Sequence, residues 1–109
     1  PYQFAKAVYD YVIDNILFKH PTTAWTAREC LSKKEGECGQ FAGLFTAICR
    51  AGGVPARPVA GSWCTGDNPW HCWAEFELTG VGWIPADPSI GAQSKQKKEY
   101  YFGNLDFSR

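Results

Sequence analysis

The sequence lacks a surplus of charge of either sign: eleven basic side chains stand against eleven acidic ones over 109 residues. No net field draws the protein to phosphate backbones or anionic lipid, and the longest basic run, at 95–98, is short, so nucleic acid is not an expected partner. No apolar run approaches the roughly 18 residues that cross a bilayer, and no charged-then-apolar leader opens the chain, so no membrane insertion is expected within this segment. Repeats and low-complexity tracts are lacking as well. The chain starts at Pro1 with no Met before it, and we expect a single domain, 1–109, that is a fragment of a longer chain. Histidine is scarce, with only His20 and His71. The five cysteines (30, 38, 49, 64 and 72) form an odd set without staple-like spacing, so at least one thiol stays unpaired within the chain. Cys30 and Cys49 read as small buried hydrophobes. Neither compartment nor oligomeric state follows from these features.

What is present is apolar mass, 45% hydrophobic and 16% aromatic, enough for a packed core in one domain. From 2 to 19, Ala5, Val8, Tyr9, Val12, Ile13, Ile16 and Leu17 recur at helical spacing until Pro21 ends the pattern. Thr26-Ala-Arg-Glu29 has the form of a capping box, so a short helix should follow with Ala27, Cys30 and Leu31 on one face. Residues 38–51 resume helical spacing through Phe41, Ala42, Phe45, Ile48 and Cys49. So wide an apolar surface predicts a central helix, stopped by Gly52-Gly53. Strands are expected at 54–61, 70–78 and 81–86, the last two joined by a turn at Gly80-Val81-Gly82. The stretch 88–98 reads as loop, and 99–107 as the start of a further strand. Helices first and strands later predict an α+β fold with an antiparallel sheet.

Cys38 falls where the Gly36 loop turns into the central helix. There, unpaired backbone N–H groups favour a thiolate and can donate to an oxyanion. Glu35 and Glu37 oppose the thiolate, so a cationic partner is needed. His20, after the first helix, reads as a C-terminal capping or surface residue. His71 opens a strand, and pairing around the Gly80 turn sets it level with residue 89, two positions from Asp87. An acid there can accept the imidazole N–H, fix its tautomer and leave the other nitrogen for a thiol. The alternatives stay open on these grounds alone: a buried helix cysteine, a satisfied half-buried histidine, and an ordinary Asp87-Pro88 turn.

Four blocks then carry a resemblance: Gly36-Glu-Cys-Gly-Gln-Phe-Ala42, Cys49-Arg-Ala-Gly-Gly-Val-Pro-Ala-Arg57, His71-Cys-Trp-Ala-Glu75 and Gly82-Trp-Ile-Pro-Ala-Asp-Pro-Ser89. In order and spacing they resemble microbial transglutaminase-like domains over roughly residues 27–89, and Tyr101-Phe-Gly-Asn-Leu-Asp106 resembles a segment that often follows in bacterial members. The resemblance implies a papain-like, transglutaminase-core fold and a Cys38-His71-Asp87 triad performing acyl transfer on a peptide or protein substrate. It implies no metal and no cofactor. Hydrolysis is slightly favoured over amine transfer, because microbial members include many assigned as proteases or amidases. The position after the motif histidine is usually small; here it is Cys72, read as core filler or redox modulator.

Around the triad, Trp63, Trp70 and Trp73 are candidate substrate-binding residues, with 64–69 as one rim of the cleft. The backbone at Cys38 and the side chain of Trp25, or less directly Tyr2, are candidate oxyanion donors. Arg57 reads as a strand anchor. Two rival readings compete with the enzyme. A zinc site from Cys64, His71 and Cys72 with Cys38 or Cys49 matches no common spacing, and neighbours on a strand point to opposite faces. The other rival is a catalytically inactive module that binds peptides or supports neighbouring domains.

Overall fold

A polypeptide with one strongly apolar helix and three short β segments buries most area by laying the helix across the sheet. The computed structural model, which describes residues 1–20, 22–61 and 70–104, does this. Its elements are α1 (Tyr2–Asn15), β1 (Leu17–Phe18), α2 (Ala27–Lys33), β2 (Glu35–Gly36), α3 (Cys38–Ala51), β3 (Ala56–Gly61), β4 (His71–Leu78), β5 (Gly82–Ala86), α4 (Pro88–Gly91) and α5 (Lys95–Tyr100). The sheet has the order β3-β4-β5 and is antiparallel, while β1 and β2 form a separate parallel pair. This is an α+β fold with an antiparallel sheet, as the order of helices and strands in the sequence predicts.

Local signals account for the element boundaries. Thr26 caps α2 through a complete capping box with Glu29, as the sequence predicts. At the start of α3 the Glu37 N–H donates to Gln40 Oε1 at 3.0 Å. The helix ends where Gly53 takes φ +86° and Val54 N–H returns to Cys49 O at 2.9 Å. Gly80 and Gly82, at φ +82° and +114°, make the β4–β5 turn in a conformation that side-chained residues disfavour.

Phe41, Ala42, Phe45 and Cys49 of α3 and Ala74 and Phe76 of β4 are fully buried, with Ala5, Tyr9 and Val12 of α1 in the same core. Phe45 meets Phe76 edge-on, and Phe102 stacks on Phe76 at 5.3 Å between centroids. Each buried phenylalanine contributes roughly 1.5–3 kcal/mol, so this seam fixes α3 across β4. Its N-terminal residue, Cys38, is thereby held near the first residue of β4, His71. Arg57 ties β3 to β4 through Glu75 at 2.9 Å and lies 3.8 Å over the Trp83 ring, the anchoring role expected of it. Cys30 and Cys49 are fully buried, also as expected.

Three expectations fail. The first helix stops at Asn15 rather than near Lys19, because Ile16 turns extended and Leu17 N–H bonds Lys34 O at 2.8 Å, pairing β1 with β2. The stretch 88–98 is not loop. Asp87 caps α4 with Pro88 at its first position, and Ser94 caps α5 by accepting from Lys97 N–H at 3.1 Å. The strand expected from 99 onward reduces to one bridge, Ala86 to Phe102, because Tyr100 still belongs to α5; 105–107 lie outside the described residues.

Candidate active site

The β4–β5 register pairs Ala74 with Ala86 and Leu78 with Gly82, the register the Gly80 turn implies. Continued by one step, it sets Asp87 diagonal to His71, on the strand face that His71 shares with Trp73. Diagonal neighbours on one face can meet through long side chains, and His71 Nε2 contacts Asp87 Oδ2 at 2.7 Å. Asp87 is fully buried and His71 nearly so. The other carboxylate oxygen accepts from Ser89 Oγ at 3.2 Å and from Ile90 N–H at 3.4 Å. One residue thus ends a strand, caps a helix and orients an imidazole.

Cys38, half-buried, lies within hydrogen-bonding reach of the His71 ring and of the backbone and thiol of Cys72. Since Nε2 is engaged by Asp87, Nδ1 is the ring nitrogen left for the sulfur. Burial pushes the Cys38 thiol up, but these hydrogen bonds and the charge of His71 outweigh it and hold the pKa below the ordinary value. For His71 burial works downward, and it is outweighed by hydrogen bonds to Asp87 and Cys38 and by their negative charges, leaving the pKa at about 9. The pair therefore favours thiolate and imidazolium together. Cys72 moves the opposite way, raised by burial and by the charge of Cys38.

Neither Glu35 nor Glu37 is among the groups that shift Cys38. Glu35 accepts from Thr22 Oγ1 at 2.8 Å, and Glu37 pairs with His20 Nδ1. The first hydrogen bond inside α3 runs from Phe41 N–H to Glu37 O at 2.9 Å, so the N–H groups of Cys38 and Gly39 have no partner within the helix.

Cys38, His71 and Cys72 open onto a cavity of about 560 Å³, also lined by Phe18, His20, Glu37, Trp70, Ile90 and Gln93. Among the sequence candidates, Trp70 lines it and is 71% exposed. Trp73 stacks on His71 at 5.9 Å but is buried behind the ring, backing the site rather than facing the cavity. Trp63 and the rim 64–69 lie outside the described residues. Trp25 is not brought to the cavity: it is 83% exposed, and its carbonyl accepts from Gln40 Nε2. Tyr2 packs on Phe102, also away from it.

Sequence reasoning missed Phe18, His20, Ser89, Ile90 and Gln93. His20 arrives because β1 pairs with β2, a two-residue contact that leaves no periodic trace. Ser89 and Ile90 could have been found, since Asp followed by Pro is a helix-start signal.

The sequence model of the transglutaminase-like superfamily matches residues 1–88. An uncharacterised protein of Haemophilus influenzae is 28% identical over 108 residues, covering 66% of this chain and 29% of its own length. A protein-glutamine gamma-glutamyltransferase of Pseudomonas aeruginosa is 33% identical over 67 residues, covering 51% of this chain and 10% of its own. The chain thus spans less than a third of either relative. Among solved structures, a cysteine protease candidate from Cytophaga hutchinsonii superposes with a TM-score of 0.69 at 27% identity, over 78% of this chain and 30% of that one. The periplasmic domain of TgpA from Pseudomonas aeruginosa shares the fold, with a TM-score of 0.67 at 23% identity over 79% of this chain and 35% of its own. With the family model matching most of its residues, the chain belongs to the transglutaminase-like superfamily.

Proposed function

We propose that the chain performs thiol-dependent acyl transfer on peptide or carboxamide bonds, with Cys38 as nucleophile, His71 as acid and base, and Asp87 as the residue that orients His71. The observation that carries this reading is the buried Asp87–His71 contact at 2.7 Å, continued by a hydrogen bond from the imidazole to a Cys38 thiol whose pKa is lowered. Such a chain of contacts stabilises an ion pair that a structural cysteine does not need.

In the proposed reaction the Cys38 thiolate attacks the carbonyl carbon, and its oxygen takes the negative charge. The N–H groups of Cys38 and Gly39 are suited to hold that oxyanion. The His71 imidazolium gives its proton to the departing amine as the C–N bond breaks, leaving a thioester and a neutral imidazole. Water or a second amine then adds, with His71 taking its proton back. Trp70 and Phe18 supply apolar surface for the substrate chain.

Water is favoured over an amine as acceptor. Support comes from the polar groups on the cavity wall, His20, Glu37 and Gln93, which suit a hydrated approach, and from the fold shared with a protease candidate. Mass spectrometry of glutamine-containing peptides, incubated with the protein and with or without a primary amine, tests this. Deamidated or cleaved product in both tubes supports hydrolysis, whereas amine adducts alone move the assignment to transfer. No product in either, together with no covalent adduct on Cys38, would favour the inactive binding module.

A further inference from the structure

The acyl transfer proposed above gives the thiol of Cys72 no part. That thiol nonetheless lines the same cavity as the Cys38 sulfur, acts on it, and is free, as Cys38 is. We infer that Cys72 is the resolving thiol of Cys38, so that a hydroperoxide converts the pair into a reversible Cys38–Cys72 disulfide that caps the nucleophile. This rests on the reading of Cys38 as an activated thiol.

The chemistry balances as follows. The Cys38 thiolate attacks one oxygen of the peroxide, the O–O bond breaks, and hydroxide leaves and takes up a proton, with Cys38 now a sulfenic acid. Cys72 then attacks the Cys38 sulfur. The S–O bond breaks, an S–S bond forms, and the hydroxyl departs as water with the Cys72 proton. Two electrons have passed from the two thiols to the peroxide, and an external dithiol can return them.

Three features make Cys72 suited to the part. Both thiols line one cavity and act on each other, so closing to a bond of about 2.05 Å is a local movement. In the resting state the Cys38 charge is one of the forces raising Cys72, which keeps it a thiol that donates to the thiolate. A sulfenic acid is neutral, so oxidation of Cys38 removes that restraint when Cys72 has to react. The competing thiols Cys30 and Cys49 are fully buried, and Cys64 lies outside the described residues.

The test treats purified protein with hydrogen peroxide, blocks remaining thiols with iodoacetamide and maps peptides without reduction. We expect a linked Cys38–Cys72 peptide that disappears with dithiothreitol, with loss of Cys38 alkylation and its full return after reduction. In Cys72→Ala the linked peptide should be absent, and Cys38 should accumulate as sulfinic acid that dithiothreitol does not recover. Sulfinic acid in the unsubstituted protein, or a link from Cys38 to Cys64, would overturn the inference while leaving Cys38 an activated thiol. A Cys38 that resists both peroxide and iodoacetamide would overturn the inference and the activated-thiol reading together.

Discussion

The two ends of α3 carry the same residue type in opposite states. Near the C-terminal end, Cys49 is sealed among core side chains, and burial alone pushes its thiol up to about 12. At the N-terminal end, Cys38 is also partly buried, yet its pKa falls, because an imidazole, a backbone N–H and a second thiol converge on the sulfur. Eleven positions along one helix thus separate a thiol whose pKa is raised from one whose pKa is lowered. The difference teaches that reactivity in this fold is set by what β4 and the Asp87 cap bring to the helix start. At pH 7 a thiol with a pKa of about 12 is ionised to on the order of one part in 10⁵. An ordinary thiol is roughly 3% ionised, and Cys38 exceeds that.

Substitutions should break this contrast in a graded way. Cys38→Ala should lower turnover by on the order of 10³-fold or more and abolish any covalent acyl adduct in intact-mass spectra. His71→Ala should come close, and should also slow Cys38 alkylation at neutral pH, since the charge that favours thiolate is gone. Asp87→Asn preserves shape and should cost on the order of 10²-fold in kcat while leaving measurable activity, because orientation and tautomer choice are worth less than the nucleophile. If Asp87→Asn left both kcat and thermal stability unchanged, Asp87 would be a turn residue only.

The pH dependence follows from the same contacts. Cys38 ionises below the ordinary thiol range and His71 holds its proton up to about 9. The thiolate–imidazolium pair therefore exists between those limits, so kcat/KM should rise with pH through the lowered thiol pKa and fall as pH passes about 9. Asp87→Asn should shift the alkaline limb downward, because the Asp87 hydrogen bond leads the forces raising His71. A limb that stays in place would separate the two residues electrostatically. At the inert end, Cys49→Ser buries a hydroxyl in an apolar core and should cost about 1–3 kcal/mol in chemical denaturation without changing the pH profile.

The sequence made the central helix legible because its apolar residues repeat over fourteen positions and glycines close it. It also made the β4–β5 register legible, because one tight turn fixes the pairing of every residue behind it. Together those two readings bring Cys38, His71 and Asp87 to one place. They could not supply the walls of the cavity. His20 reaches Glu37 across seventeen residues of chain, and α5 is a lysine-rich segment whose start is marked only by Ser94. Trp25 offers a suitable N–H group, but a donor's chemistry says nothing of its direction, and the residue lies exposed outside the cavity. The Cys72 contact was also hidden, since strand alternation predicts opposite faces for 71 and 72 while a sulfur at the strand's end meets both.

The most direct test of the central claim is competitive alkylation of the native protein with substoichiometric iodoacetamide at pH 7, followed by peptide mapping. Cys38 should carry nearly all of the label, ahead of Cys49 by at least on the order of 10³. Preferential labelling of Cys72 or Cys64, or equal labelling of Cys38 and Cys49, would contradict it.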